Sequence, residues 1–249
     1  MRNTKPMVAA VLAAIGIPAA GTAQGYQVQP MLATIEPSGA KSQLTMSIKN
    51  SGAVPITLEM TPFRATVDEA GTPTRVNEEK DVLVYPAQTM VPPGKEQTVQ
   101  IRYIGDPALT NARMYGVRVS QLPVSASGIA TGASASGAAA DVKVSFNFFS
   151  HIIVSPATAQ SQVVVEDVGR NGNGDLMLRI ANTGAGIAVL NASGIKLTDA
   201  AGKEVTLGTD QLKIGDFSAF MPGQTRRGIV EKKNLAGLTG TIKPTLTVQ

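Results

Sequence analysis

Between residues 43 and 60 the chain alternates apolar and polar positions with a period of two. In QLTMSIK, residues 43–49, Leu44, Met46 and Ile48 fall on one face; Asn50-Ser51-Gly52 supplies a turn, and Val54, Ile56, Leu58 and Met60 resume the alternation. That period marks a strand with one buried face, so two adjacent strands are predicted. The same reading gives strands at Val82 to Tyr85, Thr98 to Tyr103 and Met114 to Gln121, with Pro92-Pro93-Gly94 between the first two. Nothing between 26 and 156 holds a helical period over a useful length. Short strands separated by Gly, Pro and Asn turns predict an antiparallel β-sandwich. A second set begins at Val163, with VVVEDV, the turn-rich GRNGNGD, LMLRIAN, GIAVLNA, GIKLTDAAGKEVTL, a loop around Met221-Pro222-Gly223 and finally GTIKPTLTVQ. Lys203 to Leu207 is expected to pair with Ile195 to Thr198 across a turn at 199–202. The chain reads as all-β, with two domains at 24–157 and 158–249, each of ordinary domain size.

One stretch is more apolar than its neighbours. In 142–154 the even positions are Val142, Val144, Phe146, Phe148, Ser150, Ile152 and Val154, six apolar of seven, whereas the odd ones include Lys143, Asn147 and His151. As one strand it would run about 40 Å, longer than an ordinary domain strand. It follows PVSASGIATGASASGAAAD, residues 123–141, a composition that buries too little surface to offset the entropy of ordering and is expected to be mobile. Two readings are open. Either the even face packs its own core throughout, or only the second half does so and the first half is an edge available to another protein. Exposed edges are normally blunted by charge, proline or bulges, and here only Lys143 does so.

Composition then narrows the function. Arg2 and Lys5 precede an apolar run from Met7 to Ile17 and small residues ending in Gly21-Thr22-Ala23, the pattern of an export signal cleaved after Ala23 (residues 1–23). The run is shorter than the roughly 20 residues that span a bilayer, and no later segment is long enough either, so membrane insertion is not expected. Removing Arg2 and Lys5 lowers the formal charge from +4 to +2, which argues against a nucleic-acid partner. With no cysteine and one histidine, disulfides, thiol nucleophiles and His-rich metal sites are excluded, and no serine sits in a Gly-x-Ser-x-Gly elbow. Asn171-Gly-Asn173-Gly-Asp175 has the alternation of a calcium loop without its downstream bidentate Glu, so it reads as a hairpin turn. Neither an enzyme nor a cofactor is expected.

The segment YPAQTMVPPGKEQTVQIRYIGDPALTNARMYGVRVSQLPV, residues 85–124, followed by the loop and VSFNFFSHIIVSP, resembles the periplasmic pilus chaperones of the chaperone-usher pathway. The order carries the likeness: a proline before a strand, a Pro-Gly turn, an Arg-containing strand, a Tyr-x-Val-x-Val-x-x-Leu-Pro strand, a loop and an alternating strand. YQVQPMLATIEPSGAKSQLTMSIKNSG, from residue 26, is similar to the family's first two strands. The resemblance covers 26–156; the second domain matches only in size and β character. It implies two immunoglobulin-like domains in a boomerang, a periplasmic location, and pilus subunits and an outer-membrane usher as partners, and it leaves open whether the free protein caps itself as a dimer through the same strand. It also implies that Val142, Val144, Phe146, Phe148 and Ile152 form a donor strand completing a subunit's sandwich.

The chain departs from the best-studied branch of that family, which holds the subunit's terminal carboxylate with an Arg on the first strand and a Lys on the donor strand. Met31 and Leu32 stand where the Arg would fall and His151 stands where the Lys would, as expected of an archaic or alternative branch. Arg102 in TVQIRYIG and Arg118 in GVRVSQ are the replacement candidates, followed by His151, since an arginine fork suits a carboxylate. The rival reading is an exported structural or adhesive protein, including a pilus subunit itself. A subunit would carry its surplus strand at the N-terminus rather than mid-chain.

Overall fold

In the computed structural model the described residues are 25–122 and 146–248. The export signal, the Ala/Gly/Ser-rich loop, Val142 and Val144 lie outside them. The first domain is a sandwich of two sheets. One sheet runs β1 (Tyr26–Gln29), β3 (Gln43–Asn50), β8 (Glu96–Tyr103), β6 (Val82–Tyr85). The other runs β2 (Leu32–Ile35), β10 (Asn147–Val154), β9 (Arg113–Gln121), β4 (Ile56–Val67), β5 (Pro73–Asn77), with β7 (Gln88–Val91) pairing the start of β4. Alternation builds the core, because every second residue turns inward. Met46 and Ile48, Val99 and Ile101, Leu58 and Met60, and Val117 and Val119 meet between the sheets, all essentially without exposure. Leu44, at the start of β3, is only partly buried, and Val54 precedes β4 and stays exposed.

The second domain packs β11 (Val163–Arg170), β12 (Leu176–Asn182), β17 (Thr225–Val230) and β15 (Leu212–Lys213) against a sheet of β14 (Glu204–Leu207), β13 (Ala188–Asp199) and β16 (Ala219–Phe220), with β18 (Ile242–Val248) also paired to β13. The predicted hairpin forms, from Ile195 opposite Leu207 to Thr198 opposite Glu204. Asp199 Oδ1 closes its turn by accepting the amides of Ala201 and Lys203. Asn171 does the same for Asn173 and Asp175, so that segment is a turn between β11 and β12. Among the described residues no group of three metal-ligating side chains exists, and no helix is long and apolar enough to cross a membrane.

A third apolar cluster joins the domains. Phe63, Ala65, Met114 and Ile153 of the first pack with Ile187 and Ala219 of the second, flanked by Phe149, Phe217 and Met221. The β4–β5 hairpin reaches across beside it. Gln224 Nε2 donates to the carbonyls of Val67 (2.8 Å) and Asp68 (3.0 Å). Gly71 and Gly215 touch backbone to backbone: a Cβ on Gly71 would lie 2.2 Å from the Ile214 carbonyl oxygen, and one on Gly215 2.2 Å from that of Ala70. Both have positive φ, so the contact requires glycine on each side.

Candidate functional site: a half-free strand and a cationic cleft

The apolar strand is used in two ways. β10 pairs antiparallel with β9 along its whole length, from Asn147 opposite Ser120 to Val154 opposite Arg113. On its other side β2 pairs only with His151–Val154. The first strand of the chain explains the difference. It runs in one sheet as β1, turns at Pro30, where Ser150 Oγ donates to the Pro30 carbonyl (2.6 Å), and enters the other sheet as β2. Residues 147–150 therefore form an edge among the described residues. The ladder fixes which groups face it. Gln121 N–H donates to the Phe146 carbonyl, so even residues of β10 bond to β9, whereas His151 N–H donates to the Met31 carbonyl on the opposite side. By that parity the N–H groups of Asn147 and Phe149 point to the unpaired edge.

Burial of the even positions follows the same division. Ile152 (1% exposed) and Val154 are drawn into the domain's own core, Phe148 is half-buried against it, and Phe146 is 43% exposed. Ile152 therefore sits in the domain's own core, where β2 flanks the strand. Tyr26 marks the change. It reaches from β1 across the sandwich, its ring meets Phe148 edge-to-face at 4.8 Å, and its hydroxyl lies 2.9 Å from the Phe146 carbonyl and 3.1 Å from that of Val119. Burial pushes the Tyr26 phenol up to about 12, so it keeps its proton and remains a donor at neutral pH.

The outer face of the same sheet forms the wall of a cleft towards the second domain. Phe63 lies over Gly116, where a Cβ would come within 2.3 Å of its ring. Phe149 stands edge-on to Phe63 at 5.8 Å, and the Arg75 guanidinium stacks 4.5 Å from the Phe149 ring centre. Arg118 is the cross-strand partner of Phe149 and so shares its face. The Nε groups of both Arg75 and Arg118 are buried without a hydrogen-bond partner, and neither guanidinium has an acidic partner among the ion pairs of the described residues. Burial lowers Arg75 from the ordinary arginine value. Two cations on one face of the sheet, each with a buried Nε that has no partner, suit an anion.

His151 lies beside them, its Nε2 3.5 Å from Arg75 Nη2 and its ring packed on Phe63 (5.6 Å) and on Phe217 of the second domain (5.2 Å). Burial first, and then the Arg75 charge, lower it to about 4. It is neutral at pH 7 and adds no positive charge to the cleft. Arg102 does not share this surface. β8 belongs to the other sheet, and alternation turns Arg102 outward, opposite Gln43 and Leu83. Arg75, by contrast, escapes the sequence reading because β5 is five residues with little alternation. The signal was the Asp68-Glu69-Ala70-Gly71 turn after the alternating Phe63, Ala65 and Val67.

Comparison with known proteins adds the fold. The chain is similar to a chain of the CsuC–CsuE chaperone–tip subunit pre-assembly complex from the archaic chaperone-usher Csu pili of Acinetobacter baumannii, with a TM-score of 0.56 and 12% identity over 90% of this chain and 97% of that one. It is also similar to the E. coli chaperone DraB (0.53, 16%, 90% and 96%) and to a chain of the complex of Salmonella enterica SafA pilin with the SafB chaperone (0.52, 15%, 91% and 97%). No family model matches the chain, and no curated protein does. The all-β, two-sandwich fold of the pilus chaperones is the fold of this chain. Identities this low leave its function to be argued from its own residues.

Proposed function

We propose that this chain is an exported periplasmic chaperone that binds incomplete pilus subunits by lending them the free edge of β10 and then delivers them to an outer-membrane usher. The observation that carries the reading is the half-paired strand: the N–H groups of Asn147 and Phe149 face an edge that no strand among the described residues fills, beside an exposed Phe146. A subunit sandwich lacking one strand has the complementary need, a groove of unpaired backbone and exposed core. Val142, Val144 and Phe146 would fill it, with Phe148 at its margin, each well-buried side chain contributing about 1.5–3 kcal/mol before ordering costs. A slip by one residue would aim Lys143 and Asn147 into that groove, so the alternation also sets the register. In the cleft, Arg118 and Arg75 would hold the subunit's terminal carboxylate, each with a free guanidinium donor. The likeness in fold to chaperones recorded in complexes with a pilin and a tip subunit supports this reading.

The test is co-expression with the small secreted proteins encoded beside this chain, followed by pull-down of wild type and Phe146→Asp from periplasmic extracts. The reading predicts a stoichiometric complex for wild type and none for the variant, with the variant's thermal unfolding unchanged. Equal capture by both, or no partner for either, would favour an exported structural protein.

A further inference from the structure

A cavity of about 960 Å³ lies between the turn of the β4–β5 hairpin and the outer face of the β11–β12–β17–β15 sheet, and it shares no lining residue with the free edge of β10 or the cleft of Arg75 and Arg118. We propose that it binds a small monocarboxylate with an apolar body, of the kind a medium-length alkyl carboxylate provides. The inference is independent of the donor-strand reading.

Alternation sorts the outer face of the sheet into two neighbouring rows. Met177 of β12 stands opposite Ile229 of β17, and Ile229 opposite Lys213 of β15. Val168 extends that row from β11. It is the extra residue of a bulge between Asp167 and Gly169 and is 57% exposed; Asp167 holds the bulge by accepting the Gly169 amide (2.7 Å) through Oδ1 and the Ile242 amide (2.8 Å) through Oδ2. A bulge re-aims one side chain of its strand, and Val168 lines the cavity. Two residues along the strands, about 7 Å away, the next row is charged: Glu166, Arg179 and Arg227 stand side by side. Arg179 is spent on Glu166, its Nε donating at 2.9 Å, and Lys213 is paired with Glu231. Arg227 is exposed and has no hydrogen bond or ion pair among the described residues. It faces Arg179 across the ladder, where like charges are unfavourable. An anion there relieves the repulsion and satisfies the guanidinium fork.

The opposite wall is built in advance. Glu69 and Ala70 line it, and their turn is fixed by the backbone contact of Gly71 with Gly215 and by the bonds from Gln224 to the Val67 and Asp68 carbonyls. Glu69 is the one carboxylate of the lining, against Arg179, Lys213, Arg226 and Arg227, and Arg226 is 1% exposed with an Nε that has no partner. With Arg179 and Lys213 offset by Glu166 and Glu231, Arg226 and Arg227 exceed Glu69 by a single positive charge. That surplus matches a monoanion, and the row of Val168, Met177 and Ile229 matches an apolar body beside it. A preformed, mostly apolar cleft between domains with a few placed polar groups is the usual form of a small-molecule site.

The experiment is isothermal titration calorimetry of the purified chain with octanoate, and with octanol as its uncharged counterpart, for wild type, Arg227→Gln and Val168→Asp. Wild type is expected to bind octanoate saturably, one to one, with a Kd below about 1 mM. Loss of a charge-assisted contact predicts about ten-fold or more weaker octanoate binding for Arg227→Gln, with octanol binding within about two-fold. Val168→Asp places a carboxylate in the apolar row and is expected to weaken both. Because Arg227 is exposed and faces Arg179, its replacement should leave the thermal midpoint of the unliganded chain unchanged or slightly higher, so weaker binding would not reflect unfolding. Equal octanoate binding by wild type and either variant, octanol bound by wild type as tightly as octanoate, or no saturable heat would each overturn the site. Tighter binding of an acetylated Ala-Leu dipeptide than of octanoate would overturn the alkyl assignment in favour of a peptide end.

Discussion

The two halves of β10 carry the same apolar alternation and have opposite fates. From His151 to Val154 the strand lies between β9 and β2, and Ile152 and Val154 vanish into the core; from Asn147 to Ser150 it has β9 alone among the described residues, and burial fades towards Phe146. The side chains do not make the difference. What changes is the neighbour, because the first strand of the chain crosses to the other sheet at Pro30. An apolar strand is core where both its edges are filled and an interaction surface where one is not.

The contrast can be broken first by deleting methylenes on each side of it. Ile152→Ala should cost about 2–5 kcal/mol in denaturant unfolding, as buried aliphatic truncations do, whereas Phe146→Ala should cost under about 1 kcal/mol, being 43% exposed. Equal costs would mean that both halves serve one core. The cleft sharpens the comparison next. Arg118→Ala should weaken subunit binding by about ten-fold or more, the scale of one charge-assisted hydrogen bond, and Arg75→Ala should act similarly. Arg102→Ala, on the outer face of the other sheet, should leave binding within about two-fold.

A further effect is in pH. His151, at the junction of the two halves, has its folded value lowered to about 4, so between that value and the ordinary 6.5 the unfolded chain takes up a proton that the folded one resists. Its share of stability is present above about pH 6.5 and is lost as pH falls towards 4. Denaturation midpoints at pH 7 and 4.5 should therefore differ less for His151→Gln than for wild type.

Much of this was legible in the residues. The period of two located the buried faces of β3, β4, β8 and β9, and the turn at 199–202 placed the β13–β14 hairpin. Alternation cannot say whose core a strand fills: Ile152 packs into its own domain's core beside β2, more than a hundred residues earlier in the chain. Arg75 was missed because β5 is a short strand with no buried position, Thr74, Val76 and Asn77 being exposed, and so has no visible face. The contacts of Tyr26 with Val119 and Phe146 lie across the sandwich, where local pattern cannot show them.

The most direct test is hydrogen exchange at the edge of β10 with and without bound subunit. The ladder parity predicts that the amides of Asn147 and Phe149 exchange fast in the free chain and slow by at least about a hundred-fold in the complex, while those of Ser150 and Ile152, bonded to β9 in both states, change little. Fast exchange at Asn147 and Phe149 in a stable complex would contradict the account, since the subunit would then be held by some surface other than the free edge.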